Sequence, residues 1–158
     1  MQGVILAAGK GSRLHPITVD RSKAMVPILG KPIVERVMGT LVQNGIRDFV
    51  MVVSREDSEV TRYFRELSTL DADIQFVIQP ERLGMADALR LAAPHIRNTF
   101  IMSACDNLVQ SAHVAELVAT HKETEASATL SLMEVEADIV GRTGVVDIRN
   151  GRVQRIVE

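Results

Sequence analysis

At 158 residues, 46% hydrophobic and 24% charged, the chain fits one soluble domain with a fair core. Its formal net charge of −2 offers no general pull towards nucleic acid or an anionic membrane, so any phosphate site has to be local. The single cysteine rules out a disulfide within the chain and fits a reducing cytoplasm. The N-terminal apolar run is too short for a signal peptide and has no charged region before it. No stretch approaches membrane-spanning length.

Taken in order, residues 2–8 form a short apolar run that predicts a buried strand. Residues 9–30 are long for a loop, and long ordered loops are more often functional than idle. Pro32 suits the first turn of a helix, with Ile33, Val34, Val37, Met38, Leu41 and Val42 at helical spacing and Gly45 as the stop. Residues 49–53 are continuously apolar, as expected of a strand covered on both faces. Ser54-x-x-Asp57 reads as a capping box before a helix carrying Val60, Phe64 and Leu67. Residues 74–78 predict a third strand, 86–93 a helix ended near Pro94, and 100–102 part of a fourth strand running into Cys105-Asp106-Asn107. Val114, Leu117, Val118 and His121 mark another amphipathic helix, and residues 128–135 read as a strand. Asn150-Gly151, between runs 144–149 and 152–157, is a strong hairpin signal. Strand and helix alternate through the first 120 residues, which argues for an α/β fold with a mostly parallel sheet and helices on both faces.

Ligands in such sheets sit at the carboxyl ends of the strands. Gly9, Gln79 and Asp106 each follow an apolar strand, so the topology can bring them to one crevice. Small residues after the first strand let backbone approach a phosphate. Arg13 adds a planar, permanently charged fork and Lys23 a compact point charge, so the segment reads as a polyphosphate cradle. The dinucleotide fingerprint fails because Leu14 stands where a third glycine is needed, and the Walker loop's Gly-Lys-Ser/Thr is absent. Asp106 can cap the following turn or bind a hard cation, and on the residues alone both roles stand. Gln79 is either a solvated loop residue or a reader of a ligand edge, its amide offering a donor and an acceptor. Cys105 reads as a small buried thiol, with no partner identifiable for a nucleophile. The four histidines lack metal-ligand spacing, with His113 and His121 expected on a helix surface, and the seven methionines read as core filling.

Leu6-Ala7-Ala8-Gly9-x-Gly11-Ser12-Arg13-Leu14-x-Pro16-x-Thr18, then Lys23, Pro27 and Lys31-Pro32, resembles the opening of the sugar-phosphate nucleotidyltransferases. That family includes thymidylyl- and uridylyltransferases acting on glucose 1-phosphate. The resemblance implies a Rossmann-like three-layer sandwich of the nucleotide-diphospho-sugar transferase type. It also implies a reaction of a nucleoside triphosphate with a sugar 1-phosphate to give a nucleotide sugar and pyrophosphate. By the same resemblance, Leu6, Ala7, Ala8, Gly9, Gly11, Ser12, Arg13, Gln79, Pro80 and Gly84 contact the nucleotide, and Gln79 reading the base favours UTP or dTTP. Arg13, Lys23 and Asp106 carry the catalysis, Asp106 with Mg2+, while Gly144 and Glu158 line the sugar pocket.

Cys105 replaces the family's usual glycine, Thr143 a frequent tyrosine and Ala24 a frequent proline. The family normally continues beyond the position of Glu158 with a lysine for the sugar phosphate and a second metal-binding aspartate. The expectation is therefore a single domain over 1–158, nucleotide-binding to about 122 and the start of a sugar-binding part from about 123, from a longer protein. Alternatives on the same fold are a non-catalytic nucleotide-sugar-binding regulatory module and a cytidylyltransferase-like enzyme with a non-sugar phosphate acceptor. Neither nucleic acid nor membrane is an expected partner, and a homo-oligomer is left open.

Overall fold

The computed structural model describes residues 1–56, 58–136 and 144–157. The chain divides into two compact units, Met1–Thr120 and His121–Glu158.

In the first unit, four parallel strands form the sheet: β1 (Gln2–Leu6), β4 (Asp48–Ser54), β5 (Asp73–Gln79) and β6 (Phe100–Ala104), in the order β5-β4-β1-β6. A small antiparallel pair, β2 (Pro27–Ile28) and β3 (Lys31–Pro32), precedes helix α1 (Ile33–Gln43). The other helices are α2 (Ser58–Glu66), α3 (Met85–Ala92) and α4 (Ser111–Thr124), and α4 runs across the boundary between the units.

The two-residue period of the central strands sorts their side chains into two cores. Ile5 and Ala7, with Phe49, Met51 and Val53, pack against Val34, Val37, Met38 and Leu41 of α1, Val60 of α2 and Val114 of α4. Val4, Leu6 and Ala8, with Val50 and Val52, pack against Ala88 and Ala92 of α3. Helices thus cover both faces of a parallel sheet, the expected three-layer α/β sandwich. Burying each Val, Leu, Ile or Phe side chain contributes on the order of 1.5–3 kcal/mol. Gly3 has no side chain because the Phe49 ring fills the space a Cβ would need.

Helix α1 ends as its glycine predicts. Gly45, at φ 80°, donates to Val42 O at 2.9 Å, and Ile46 donates to Leu41 O at 3.2 Å, the pairing of a Schellman cap. Pro32 stands just outside the helix, at the cap position and paired in β3, rather than in the first turn.

Leu67 lies beyond α2 and is 66% exposed. The Leu67 and Ser68 amides both donate to Tyr63 O, so the chain leaves the helical path there and carries Leu67 away from the core. The expected capping box includes Asp57, which lies outside the described residues. Ser54 ends β4, and its hydroxyl accepts from Arg82 Nη2 at 3.2 Å.

In the second unit, the expected strand over 128–135 is absent, and residues 126–136 carry no strand or helix. Its alternating apolar pattern suits a strand, but no described segment pairs with it, and a ladder needs a partner. The hairpin forms as predicted from β7 (Val145–Arg149) and β8 (Arg152–Val157). Asn150 (φ 51°) and Gly151 (φ 71°) both take the positive φ of a two-residue primed turn. His121 Nδ1 lies 3.0 Å from Thr129 Oγ1, and His113 and His121 are half-buried rather than fully on the surface. No described helix is long and apolar enough to cross a membrane.

Glu35 is a buried carboxylate in the first turn of α1. Lys31 Nζ donates to it at 2.7 Å, and the Tyr63 hydroxyl of α2 donates to its other oxygen. Burial by itself raises the carboxyl's pKa. The hydrogen bonds from Lys31 and Tyr63, with the charges of Lys31 and Arg36, more than offset that and hold it below its ordinary value. Burial, together with the hydrogen bond to Glu35 and its charge, pushes Tyr63 up to about 12. The folded pKa of Tyr63 thus exceeds the unfolded value of about 10, so its stabilisation is complete below about pH 10 and is lost as pH rises towards 12.

Tyr63 is the only tyrosine and there is no tryptophan, so an ultraviolet tyrosinate titration reads this pair alone. The expected midpoint is near pH 12, against about 10 for an unpaired phenol. Tyr63→Phe should lower stability at neutral pH by about 1–3 kcal/mol in chemical denaturation, the cost of removing a donor from a buried carboxylate.

Candidate functional site

The carboxyl edge of the sheet is built outward from β1. The Ala7 amide donates to Val52 O at 2.8 Å, which extends the ladder past the strand's end, and Ala7 and Ala8 remain buried. The chain emerges into solvent at Gly9. Gly11 takes φ 69°, and its carbonyl accepts from Thr18 Oγ1 at 2.7 Å and from the Leu14 amide at 2.9 Å. These bonds fold Ser12–Leu14 into a 3-10 turn that carries Ser12 and Arg13 exposed. Arg13 forms no ion pair among the described residues.

The loop then returns to the sheet. Lys23–Met25 is a second 3-10 turn in which Ala24 and Met25 are buried. Ala24 has no exposed surface, so its small side chain anchors the turn in the core. This anchor lays the Lys23 stem against Gly11, where an added Cβ would stand 2.8 Å from Lys23 Cβ. Lys23 Nζ reaches Asp106 Oδ2 at 2.5 Å. Asp106 follows β6, and the preceding Cys105, buried as expected, donates its amide to Leu6 O at 3.1 Å. Gly11, Lys23 and Asp106 therefore form a continuous chain of contacts across the ends of β1 and β6.

Gln79 is placed differently from a solvated loop residue. It is the last residue of β5 and is buried, and its Nε2 donates to Gly84 O at 3.2 Å and to Asp87 Oδ2 at 2.9 Å. Gly84 stands at the cap of α3 with φ 95°, which a side chain would strain, while Pro80 is exposed. Strand β4 separates β5 from β1, so their axes are about 10 Å apart.

Arg82 spans that gap. Its Nε donates to Ala8 O at 3.0 Å, and its Nη2 to Ser54 Oγ at 3.2 Å and Glu56 Oε2 at 2.9 Å. Neither Arg82 nor Asp87 stood among the predicted site residues. The signal available for Arg82 was a lone cation in the loop after the third strand; for Asp87 it was an acid in the first turn of the next helix.

A cavity of about 320 Å³ opens between Gly9, Ser22, Glu56, Glu59 and Arg82. Ser22 Oγ is buried there and has no hydrogen-bond partner among the described residues. Arg13, Lys23, Gln79 and Asp106 do not line this cavity. Among the described residues no group of three or more potential metal ligands forms. Asp106 offers a carboxylate oxygen of the kind a hard divalent cation takes, and that carboxylate is paired with Lys23. Gly144 is exposed immediately before β7, and Glu158 and Thr143 lie outside the described residues.

A family model described as Nucleotidyl transferase matches residues 2–158. The chain belongs to the nucleotidyl transferase family. A UTP–glucose-1-phosphate uridylyltransferase of Haloferax volcanii is 33% identical across 100% of this chain and 65% of that protein. A glucose-1-phosphate thymidylyltransferase of Mycolicibacterium smegmatis is 36% identical across 68% of this chain and 38% of that protein. A crystal structure from Bacillus anthracis, named for glucose-1-phosphate thymidylyltransferase, superposes at a TM-score of 0.87 with 26% identity. It covers 100% of this chain and 64% of its own. A UDP-glucose pyrophosphorylase from Acinetobacter baumannii shares the fold at a TM-score of 0.83 and 21% identity, over 99% of this chain and 67% of that one. This nucleotidyl transferase chain thus spans about two thirds of the Haloferax relative and of both solved structures.

Gly11→Ala should cost about 1–2 kcal/mol for the left-handed backbone alone and should also push Lys23 off Asp106. Thermal unfolding reads the first effect. The second should appear as a shift of the Asp106 carboxyl resonance in NMR.

Proposed function

We propose that this nucleotidyltransferase joins UTP or dTTP to a sugar 1-phosphate, releasing pyrophosphate. The observation that carries the reading is the contact chain Gly11–Lys23–Asp106. It sets a glycine backbone, a cation and a carboxylate side by side where an α/β sheet binds ligands. Family membership and the names of the relatives support the same chemistry.

In this reaction an oxygen of the sugar phosphate attacks the α-phosphorus and the bond to the pyrophosphate oxygen breaks. Little proton transfer is needed, so catalysis is mostly positioning and charge stabilisation. The backbone from Leu6 to Ser12 receives the nucleotide, and exposed Arg13 grips the leaving pyrophosphate. Phosphate oxygens compete with Asp106 for Lys23 as the substrate enters. Magnesium, held by Asp106, would neutralise charge on the phosphate oxygens. Gln79, with Pro80 and Gly84, faces the base, while Gly144 and Glu158 serve the sugar. A cytoplasmic location accords with the lone cysteine.

Calorimetric titration with UTP, dTTP, GTP and ATP, with and without magnesium, tests the proposal. Binding of the two pyrimidine nucleotides over the purines is expected, tightened by magnesium. Equal binding of all four would overturn the base assignment. In a transferase assay of the complete enzyme, since the 158-residue chain alone is expected to be inactive or very poor, Arg13→Ala should lower kcat by roughly 10²–10³, the size of a lost oxyanion donor. Unchanged turnover would remove Arg13 from the mechanism.

A further inference from the structure

The orientation of the Gln79 amide is dictated by its surroundings, and this deepens the reading of Gln79 as the base-contacting residue, on which it rests. Its Nε2 faces two acceptors, Gly84 O at 3.2 Å and Asp87 Oδ2 at 2.9 Å. A carbonyl cannot donate. Hydrogen bonds from Gln79 and then Arg90, with Arg90's charge, hold the Asp87 carboxyl below its ordinary value against the opposing effect of burial. At neutral pH Asp87 is therefore also acceptor-only.

A flipped amide would set the Gln79 oxygen against two other oxygens. Both Gln79 N–H donors are thus committed, and its Oε1 accepts no hydrogen bond from any described residue. The sole sealed and unbonded side-chain atom among the described residues is Ser22 Oγ, so Oε1 also reaches solvent. Asp87 is itself fixed. Its Oδ1 accepts from Arg90 Nη2 at 2.8 Å and Nε at 3.3 Å, which leaves Oδ2 for Gln79.

We propose that Asp87 is a positioning residue that presents Gln79 to the pyrimidine as a pure hydrogen-bond acceptor and so selects uracil or thymine over cytosine. Uracil and thymine carry a donor at N3–H, which Oε1 can accept. Cytosine carries a lone pair at N3, which Oε1 repels. The Arg90–Asp87–Gln79 relay is built within one turn of α3 and the end of β5, so it exists before any nucleotide arrives.

The test is calorimetric titration of the 158-residue chain with UTP and CTP, in the wild type, Asp87→Asn and Gln79→Ala. With its oxygen held by Arg90, an asparagine would turn an N–H towards Gln79, so only Gly84 O would still oppose the flipped amide. Asp87→Asn should therefore reduce the UTP-to-CTP affinity ratio by roughly 5–10-fold, about one hydrogen bond. A merely structural role would weaken both nucleotides alike and leave the ratio unchanged. If Gln79→Ala collapses the ratio and Asp87→Asn preserves it, the positioning role is overturned and the base reading stands. If Gln79→Ala preserves it, or the wild type does not prefer UTP, the base reading itself fails and the proposal with it.

A ligand-free measurement keeps the two apart should Asp87→Asn unfold. In the wild type the two Gln79 side-chain N–H resonances should be shifted downfield and slow to exchange. Values of a free glutamine amide there would overturn the proposal.

Discussion

Strand β1 runs between β4 and β6 at the centre of the first unit, and all five of its residues are buried. This placement is the constraint on which the rest depends. A parallel strand flanked on both edges and covered on both faces cannot shift by one residue without turning its apolar set to the wrong helix layer. With β1 locked against β4 from Gly3–Phe49 to Leu6–Val52, its exit point is fixed to within a residue. The turn from Ala7 to Gly11 therefore starts from rigid backbone. The same register aligns the carboxyl ends of β4, β5 and β6, so four separate loops leave the sheet on one side.

The loops are not independent of one another. Buried Ala24 and Met25 hold the return of the first loop, and that hold determines where Lys23 points. Gly11 makes room for the Lys23 stem, and Asp106 from another strand receives its charge. On the other side Arg82 ties the loop after β5 to Ala8 and to the end of β4. The cations are thus shared between pairing with carboxylates and bracing backbone, with Arg13 left outward. For the triphosphate substrate of the proposed function, partly exposed ion pairs would be a suitable resting state. Such pairs are individually weak, so phosphate oxygens can replace the carboxylate at little cost.

Much of this was legible from residue patterns because the pattern and the structure share a physical cause. The continuous apolar run around Phe49–Val53 meant burial on both faces, and both faces are covered. Gly45 and Asn150-Gly151 were readable because positive φ restricts which residues can stand there. Leu67 and the 128–135 segment were misread for a common reason. Periodicity says that a side chain could be buried, whereas burial needs a partner surface, and neither the end of α2 nor the lack of a pairing strand among the described residues is written in any local pattern. Arg82 and Asp87 escaped because a single charged residue in a loop or a helix's first turn has no distinctive spacing.

The sequence by itself determined the α/β alternation, the glycine loop with its cations and the hairpin turn. Each of these follows from local rules of backbone freedom, period and charge. Only the tertiary structure decided that Lys23 meets Asp106, that Arg82 spans the gap to Ala8, and that Gln79 is buried with its amide turned towards Asp87. Those contacts join residues on different elements, many of them far apart in the chain, and they exist because parallel strands deliver distant segments to one edge. Local pattern cannot specify which donor will face which acceptor, and a single such pairing decides whether the Gln79 amide leaves a proton or a lone pair unpaired.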